Sequence, residues 1–185
     1  KYYSQGTLKI YGKTFVDGEK VTGWLPLGNR WYYIANDDYM VTGYYKVGNS
    51  TYYFDESGLM KTGWFKINGE DYYAASSGAI QAQWVKSLSN WYYVDVDGKM
   101  VTGYQTINGA KYYFASSGLM QKGWFKINGE DYYAASSGTI QAQWVKSGRN
   151  WYYVDTDGKM VTGDYIIDRK VNYFDNQGLW MNKIN

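Results

Sequence analysis

The stretch GWFKINGEDYYAASSG runs from Gly63 to Gly78 and recurs unchanged from Gly123 to Gly138. Its first strand lies near Trp64 to Ile67. Asn68-Gly69 follows, and both residues tolerate the positive φ that a two-residue hairpin turn requires. Asp71 to Ala74 forms the return strand. Gly78 then supplies backbone freedom for a connection to the next unit. The stretch therefore reads as one β-hairpin and a linking loop.

A looser copy of this pattern returns every 20 residues. The aromatic after Gly or Gln falls at Trp24, Tyr44, Trp64, Trp84, Tyr104, Trp124 and Trp144, and Asp164 holds the eighth place. The tyrosine pair keeps the same step from Tyr32-Tyr33 to Tyr152-Tyr153, ending as Asn172-Tyr173. A later Gly recurs from Gly58 to Gly178, with Asp38 in the first unit, and an apolar residue follows two positions on, from Met40 to Trp180. A lone two-stranded hairpin is marginal in water, so units of this size must stack on their neighbours. The expected fold is all-β: about eight stacked hairpins forming a β-solenoid over residues 23–182. Residues 1–22 keep fragments of the pattern, Tyr2-Tyr3 and FVDGEKVTG from Phe15 to Gly23, and read as an atypical cap. The last unit is read as the other cap, and residues 183–185 as a tail.

Within this period the units are unequal. The residue before the tyrosine pair is Trp31, Thr51, Asp71, Trp91, Lys111, Asp131, Trp151 and Val171, so Trp returns every third unit. Residues 63–103 match residues 123–163 except at Ala79/Thr139, Leu88/Gly148, Ser89/Arg149 and Val96/Thr156. Either a 60-residue block was duplicated, or each hairpin turns the stack by about a third of a revolution and brings every third unit to one face. Both explanations stay open.

Composition excludes several functions. The 185 residues include 23 Tyr, 9 Trp and 22 Gly but a single Pro, Pro26. Charges are interspersed and net only +2, unlike a nucleic-acid or anionic-membrane footprint. With no Cys and no His, disulfides, thiolate metal sites and Ser-His or Cys-His nucleophiles are ruled out. No apolar run is long enough to span a membrane as a helix. The N-terminus lacks a signal-peptide core and reads as the middle of a longer chain. DVDG (Asp95 to Gly98) and DTDG (Asp155 to Gly158) fail as EF-hand loops, because no Glu stands at the twelfth position in either register. They read as Asp-Gly turns. No unique carboxylate pair stands out for a glycosidase, so no catalytic residue, metal ligand or cofactor is expected.

GWLPLGNRWYYIANDDYMVTGY, QWVKSLSNWYYVDVDGKMVTGY and QWVKSGRNWYYVDTDGKMVTGD resemble choline-binding repeats of the cell-wall-binding repeat family, found in Gram-positive bacteria and their phages. The wider superfamily includes glucan-binding repeats and clostridial toxin repeats, which the units lacking Trp before the tyrosine pair resemble. The resemblance implies a left-handed solenoid with about three hairpins per turn. It also implies choline cages between consecutive hairpins, built from the first-strand Trp, the Trp before the pair, the second Tyr of the next pair, and a Met. Carried over by position, the first set is Trp24, Trp31, Tyr53 and Met40. The second is Trp84, Trp91, Tyr113 and Met100, and the third is Trp144, Trp151, Tyr173 and Met160. Trp64 with Tyr93 and Trp124 with Tyr153 are weaker candidates, each beside a carboxylate expected to be solvated. The first Tyr of each pair is expected to pack, and Gln83 and Gln143 depart from the usual Gly.

A quaternary ammonium has no N–H to donate, and aromatic faces suit its diffuse charge and methyl shell. The resemblance implies a non-catalytic module holding a parent protein on the choline or phosphocholine of teichoic or lipoteichoic acid. Such a module would be extracellular and associated with the cell wall. Two alternatives remain: a module for glucan-type carbohydrate, and a passive structural spacer. The sequence leaves the oligomeric state open, a homodimer included.

Overall fold

The computed structural model describes residues 7–10, 13–16, 19–35 and 39–181, with side chains from Val21 onward. Tyr2-Tyr3, Asp38 and the tail 183–185 lie outside these residues. The described chain is strand and turn, with no helix. Strands β1 (Thr7–Ile10), β2 (Lys13–Val16) and β3 (Glu19–Lys20) form a three-stranded antiparallel sheet. Two-stranded hairpins follow: β4 (Gly23–Leu27) with β5 (Arg30–Ile34), β6 (Gly43–Val47) with β7 (Ser50–Phe54), and β8 (Gly63–Ile67) with β9 (Glu70–Ala74). Next come β10 (Gln83–Ser87) with β11 (Asn90–Val94), β12 (Gly103–Ile107) with β13 (Ala110–Phe114), and β14 (Gly123–Ile127) with β15 (Glu130–Ala134). Finally β16 (Gln143–Ser147) pairs with β17 (Asn150–Val154), and β18 (Gly163–Ile167) with β19 (Lys170–Phe174), to which β20 (Trp180–Met181) adds. The 20-residue hairpin unit expected from the sequence is thus the unit of the fold. The chain divides into two compact units, residues 1–85 with 93–100 and residues 86–92 with 101–185, the division running through the β10–β11 hairpin.

The turns explain the hairpins. Asn68 and Gly69 have φ of 51° and 85°, the doubly left-handed pair that matches strand twist. In β10–β11 the corresponding turn begins with Leu88 at φ 54°, a conformation that costs a residue with Cβ, and its side chain is 92% exposed. The register puts the first-strand aromatic opposite the second Tyr, as in Trp64↔Tyr73 and Trp124↔Tyr133.

The deepest core position is the residue after the tyrosine pair, one per hairpin. Ile34, Phe54, Ala74, Val94, Phe114, Ala134, Val154 and Phe174 are all fully buried. Their sizes cycle as medium, large and small, so the core too repeats every third hairpin. Inside each unit, successive hairpins are tied by backbone hydrogen bonds, and Tyr73 N–H and Tyr133 N–H add a further bond to Gly98 O and Gly158 O, both at 2.8 Å. Met60 N–H donates to Trp31 O and Ile80 N–H to Thr51 O, both at 2.8 Å, and Met100 N–H to Asp71 O at 2.9 Å. In the second unit Met120, Ile140 and Met160 donate to Trp91, Lys111 and Asp131 at 2.8–2.9 Å.

The linking loops come in two chemistries. In DxxG loops the Asp carboxylate accepts backbone N–H groups: Asp95 Oδ1 from Asp97 and Lys99, Asp155 Oδ1 from Asp157 and Lys159. These are the Asp-Gly turns read from the sequence. The ASSG loops replace that Asp by Ala and use Ser77 Oγ as acceptor for Ala79 N–H instead.

Two interfaces are closed by such loops. Tyr44 Oη donates to Asp97 O at 3.0 Å, and Tyr104 Oη to Asp157 O at 2.9 Å. Lys111, standing where other units have Trp, adds an ion pair to Asp157 and a bond to Thr156 O. Burial, followed by the neighbouring Tyr72 and Asp97, pushes the Tyr44 phenol up to about 12, and the Tyr104 phenol is raised for the same reasons.

Phe54→Ala should cost about 3–5 kcal/mol in chemical denaturation, because it empties a fully buried ring site. Leu88→Gly should stabilise by up to about 1 kcal/mol, since relief of left-handed strain exceeds the added freedom of the unfolded chain. A phenol with a raised folded pKa contributes stability that is complete below the unfolded value and is lost as pH rises through the folded one. Denaturation midpoints compared at pH 8 and above pH 11 should therefore fall less for Tyr44→Phe than for the parent. Tyr44→Phe should also lose about 1 kcal/mol at neutral pH with its hydrogen bond.

Candidate functional site

Strand alternation decides which rings meet. On β4–β5, Trp24, Trp31 and Tyr33 share one face, because Trp24 pairs with Tyr33 and Pro26 with Trp31. Trp24 and Trp31 meet edge to face, with centroids 6.1 Å apart at 85°. The next hairpin turns its opposite face toward them and brings Tyr52 to 4.9 Å from Trp24 at 78°. Phe54 supports Trp24 from the core side at 6.1 Å. The result is a cleft of about 570 Å³ lined by Trp24, Asn29, Trp31, Tyr52, Met60, Thr62, Ser76 and Ser77. Three successive repeats supply it: two Trp rings from one, a Tyr and a Met from the next, and the hydroxyls of an ASSG loop from the third. Trp24 and Trp31 stay 38% and 44% exposed, so their faces are reachable from solvent.

Two residues of the first sequence-predicted set are placed elsewhere. Tyr53 sits against Tyr44 at 5.1 Å and is stacked on Phe65 at 5.3 Å. A one-residue step along a strand reverses the face, so the first Tyr of the pair, not the second, points back at the preceding tryptophans. Met40 packs on Gly58, where an added Cβ would collide with its sulfur. Met60, one repeat later, takes the place in the cleft wall.

The third set follows the same geometry. Trp144 and Trp151 are 6.4 Å apart at 85°, a near copy of the first corner. Trp180, at the position equivalent to Met60, lies 5.3 Å from Trp144 at 74° and closes a pocket of about 300 Å³ lined by these three rings. Asn172 replaces the inward Tyr, and its Oδ1 accepts the Trp180 indole N–H at 3.1 Å. Tyr173 is again on the wrong face to enter, pairing with Asp164 and Met181, and Met160 packs on Gly178. Trp180 went unrecognised in the sequence because it was counted as the apolar member of its own unit.

Of the second set, Trp84 and Met100 belong to the first compact unit and Trp91 and Tyr113 to the second. Trp84 meets Tyr93 at 5.1 Å, and the Lys86 ammonium stands 5.6 Å from the Trp91 ring. Tyr113 repeats the placement of Tyr53, stacked on Phe125 at 5.4 Å. Among the weaker candidates, Trp64 packs on Tyr73 at 5.2 Å, and Trp124 on Tyr133 at 5.2 Å and Tyr152 at 5.4 Å. Tyr153 packs on Trp144 instead, at 5.2 Å. The accompanying carboxylates are not merely solvated: Asp71 and Asp131 pair with Lys66 and Lys126 across their hairpins, both at 2.7 Å. Gln83 and Gln143 bury their amide nitrogens without a hydrogen-bond partner. No group of three acids that could hold a metal occurs among the described residues.

A family model described as a choline-binding repeat matches residues 41–83 and 101–143. A second, described as a putative cell wall binding repeat, matches residues 83–100 and 143–160. Among solved structures, CbpJ from Streptococcus pneumoniae is 29% identical with a TM-score of 0.78, over 91% of this chain and 62% of that one. Choline binding protein F from Streptococcus pneumoniae, determined in the presence of a peptidoglycan analogue, is 29% identical with a TM-score of 0.76, over 92% and 61%. The modular autolysin LytC from Streptococcus pneumoniae is 25% identical with a TM-score of 0.60, over 87% and 39%. The chain thus spans less than two thirds of the length of each of these proteins. Among curated protein sequences there is no match. Matching repeat models tile residues 41–160, and the 20-residue hairpins and their paired tryptophans follow the same plan: the chain belongs to the choline-binding, cell-wall-binding repeat family.

Proposed function

We propose that this chain is a non-catalytic choline-binding module that holds its parent protein on choline-decorated teichoic acid, at the outside of a Gram-positive cell wall. The observation that carries the reading is the recurrence of one corner. Two Trp rings meet at 85° at Trp24/Trp31 and again at Trp144/Trp151, each closed by a third apolar wall from the following hairpin. Rings set edge to face present two π faces to one small volume. That arrangement suits a compact cation with an apolar methyl shell, at about 0.5–2 kcal/mol per face. The Trp84/Trp91 repeat carries the same sequence pattern. The ring role given to Tyr53 passes to Tyr52, and that of Tyr173 and Met160 to Trp180.

A second reading has its own observation. The Trp24/Trp31 cleft carries the neutral hydrogen-bonding groups of Asn29, Thr62, Ser76 and Ser77 and is larger than a bare quaternary ammonium needs. A flat aromatic wall beside hydroxyl and amide groups is also a sugar-binding surface.

A titration followed by tryptophan fluorescence separates the two. Saturable changes with choline and none with isomaltose oligosaccharide are expected. Tyr52→Ala should weaken choline at the first cleft by about three- to thirtyfold, the loss of one cation–π wall, while Tyr53→Ala should leave it within about twofold. The reverse ranking of the two tyrosines would overturn the site assignment, and a response to sugar alone would overturn the choline reading.

A further inference from the structure

The two described clefts share their rings but not their rims. On β16–β17, Lys146 is the cross-strand partner of Trp151, and its ammonium stands 5.6 Å from the Trp151 ring centroid. Trp144, Lys146 and Trp151 therefore point from one face of one hairpin, with the lysine toward the turn. The turn itself carries Arg149. In the first cleft the corresponding positions are Pro26, the partner of Trp31, and Asn29, which lines the cleft. The position opposite the second tryptophan is thus Pro26 in one cleft and Lys146 in the other, and the second turn position is Asn29 in one and Arg149 in the other. Neither Lys146 nor Arg149 forms an ion pair with a described residue. By contrast, Lys66, Lys99, Lys111, Lys126 and Lys159 are all paired to carboxylates.

We propose that the Trp144/Trp151/Trp180 pocket selects zwitterionic ligands in which a quaternary ammonium is joined to a phosphate. The rings take the ammonium, and Lys146 with Arg149 takes the phosphate. This rests on the choline reading above and adds the anion half of the ligand. Two unpaired cations beside a site for a bare cation work against it by like-charge repulsion. The same two cations beside a zwitterion meet its phosphate and form charge-assisted hydrogen bonds. The pocket walls are indole only, so the ammonium end has no competing polar partner there. The phosphate is left to the rim, where the free lysine already leans on Trp151. The Trp24/Trp31 cleft, with Pro26 and Asn29 at those positions, has no such preference.

The test uses the full chain labelled with 5-fluorotryptophan and observed by ¹⁹F NMR. The Trp180 and Trp31 resonances, assigned with Trp180→Phe and Trp31→Phe, report the two clefts separately without deleting a ring from the protein being titrated. Choline and phosphocholine are titrated at low ionic strength. At Trp180 the expected result is phosphocholine tighter than choline by about three- to tenfold, the scale of one or two partly exposed charge pairs. At Trp31 the ratio should lie near one. Lys146→Gln with Arg149→Gly, both exposed positions, should bring the Trp180 ratio toward one. Raising the salt to roughly 0.5 M should do the same in the parent by screening. Equal affinities at Trp180, or a preference that survives the double substitution, would overturn the phosphate assignment while leaving choline binding intact. No response of Trp180 to either ligand would overturn it together with the choline reading of that pocket.

Discussion

A backbone hydrogen bond that recurs between successive hairpins governs this structure. The N–H of the apolar residue closing each linking loop donates to the carbonyl 29 residues back, as Met60 does to Trp31 and Met160 to Asp131. Each hairpin has only two strands and cannot bury its own apolar face. The bond fixes how far each hairpin slides and turns against the one before, and with that fixed one residue per hairpin is driven wholly inside. The carbonyl used belongs to the residue before the tyrosine pair. That residue is Trp at the cleft of the first unit, so the bond that stacks the hairpins also holds a ring of the site.

This constraint explains why three hairpins form the chemical unit. A hairpin with two tryptophans needs a large ring beneath it, and Phe54 and Phe174 stand under Trp24 and Trp144. The phenylalanine hairpin carries Tyr44 with Thr51, or Tyr104 with Lys111, at the outer positions instead. Tyr44, and Tyr104 with Lys111, reach across to a DxxG loop and close the gap. The third hairpin has Ala in the core and a Lys–Asp pair on its face. Its ASSG loop, Ser76-Ser77, is what the open Trp24/Trp31 cleft receives.

Much of the fold was legible because its signals are local. Asn-Gly turns, the tyrosine pair and the constant spacing specify hairpins, and hairpins of that size must stack. The return of the second Trp every third unit is also a matter of spacing, and its pairing with the first-strand Trp is what the family resemblance implies. The third wall was not legible, because it depends on which face of a strand meets the previous hairpin. Tyr52 and Tyr53 are adjacent and identical in type, and only the pleat distinguishes them. The cycle at Ile34, Phe54 and Ala74 was readable, since it keeps the period of the tryptophans, but its meaning appears only when the phenylalanine is seen under the indole. The carboxylates Asp71 and Asp131 were expected in solvent because sequence spacing conceals cross-strand pairs with Lys66 and Lys126.

The division of labour among hairpins bears on how such a module holds a polymer. If every interface were an open cleft, the tyrosine and lysine bonds to the loops would be missing, and stacking would rest on the backbone bond and one buried residue. Under the proposed reading, each cleft is small and would take a single cation only weakly. A polymer that repeats its cation can engage several clefts at once, and linked weak contacts can exceed one contact by about 10²–10⁴.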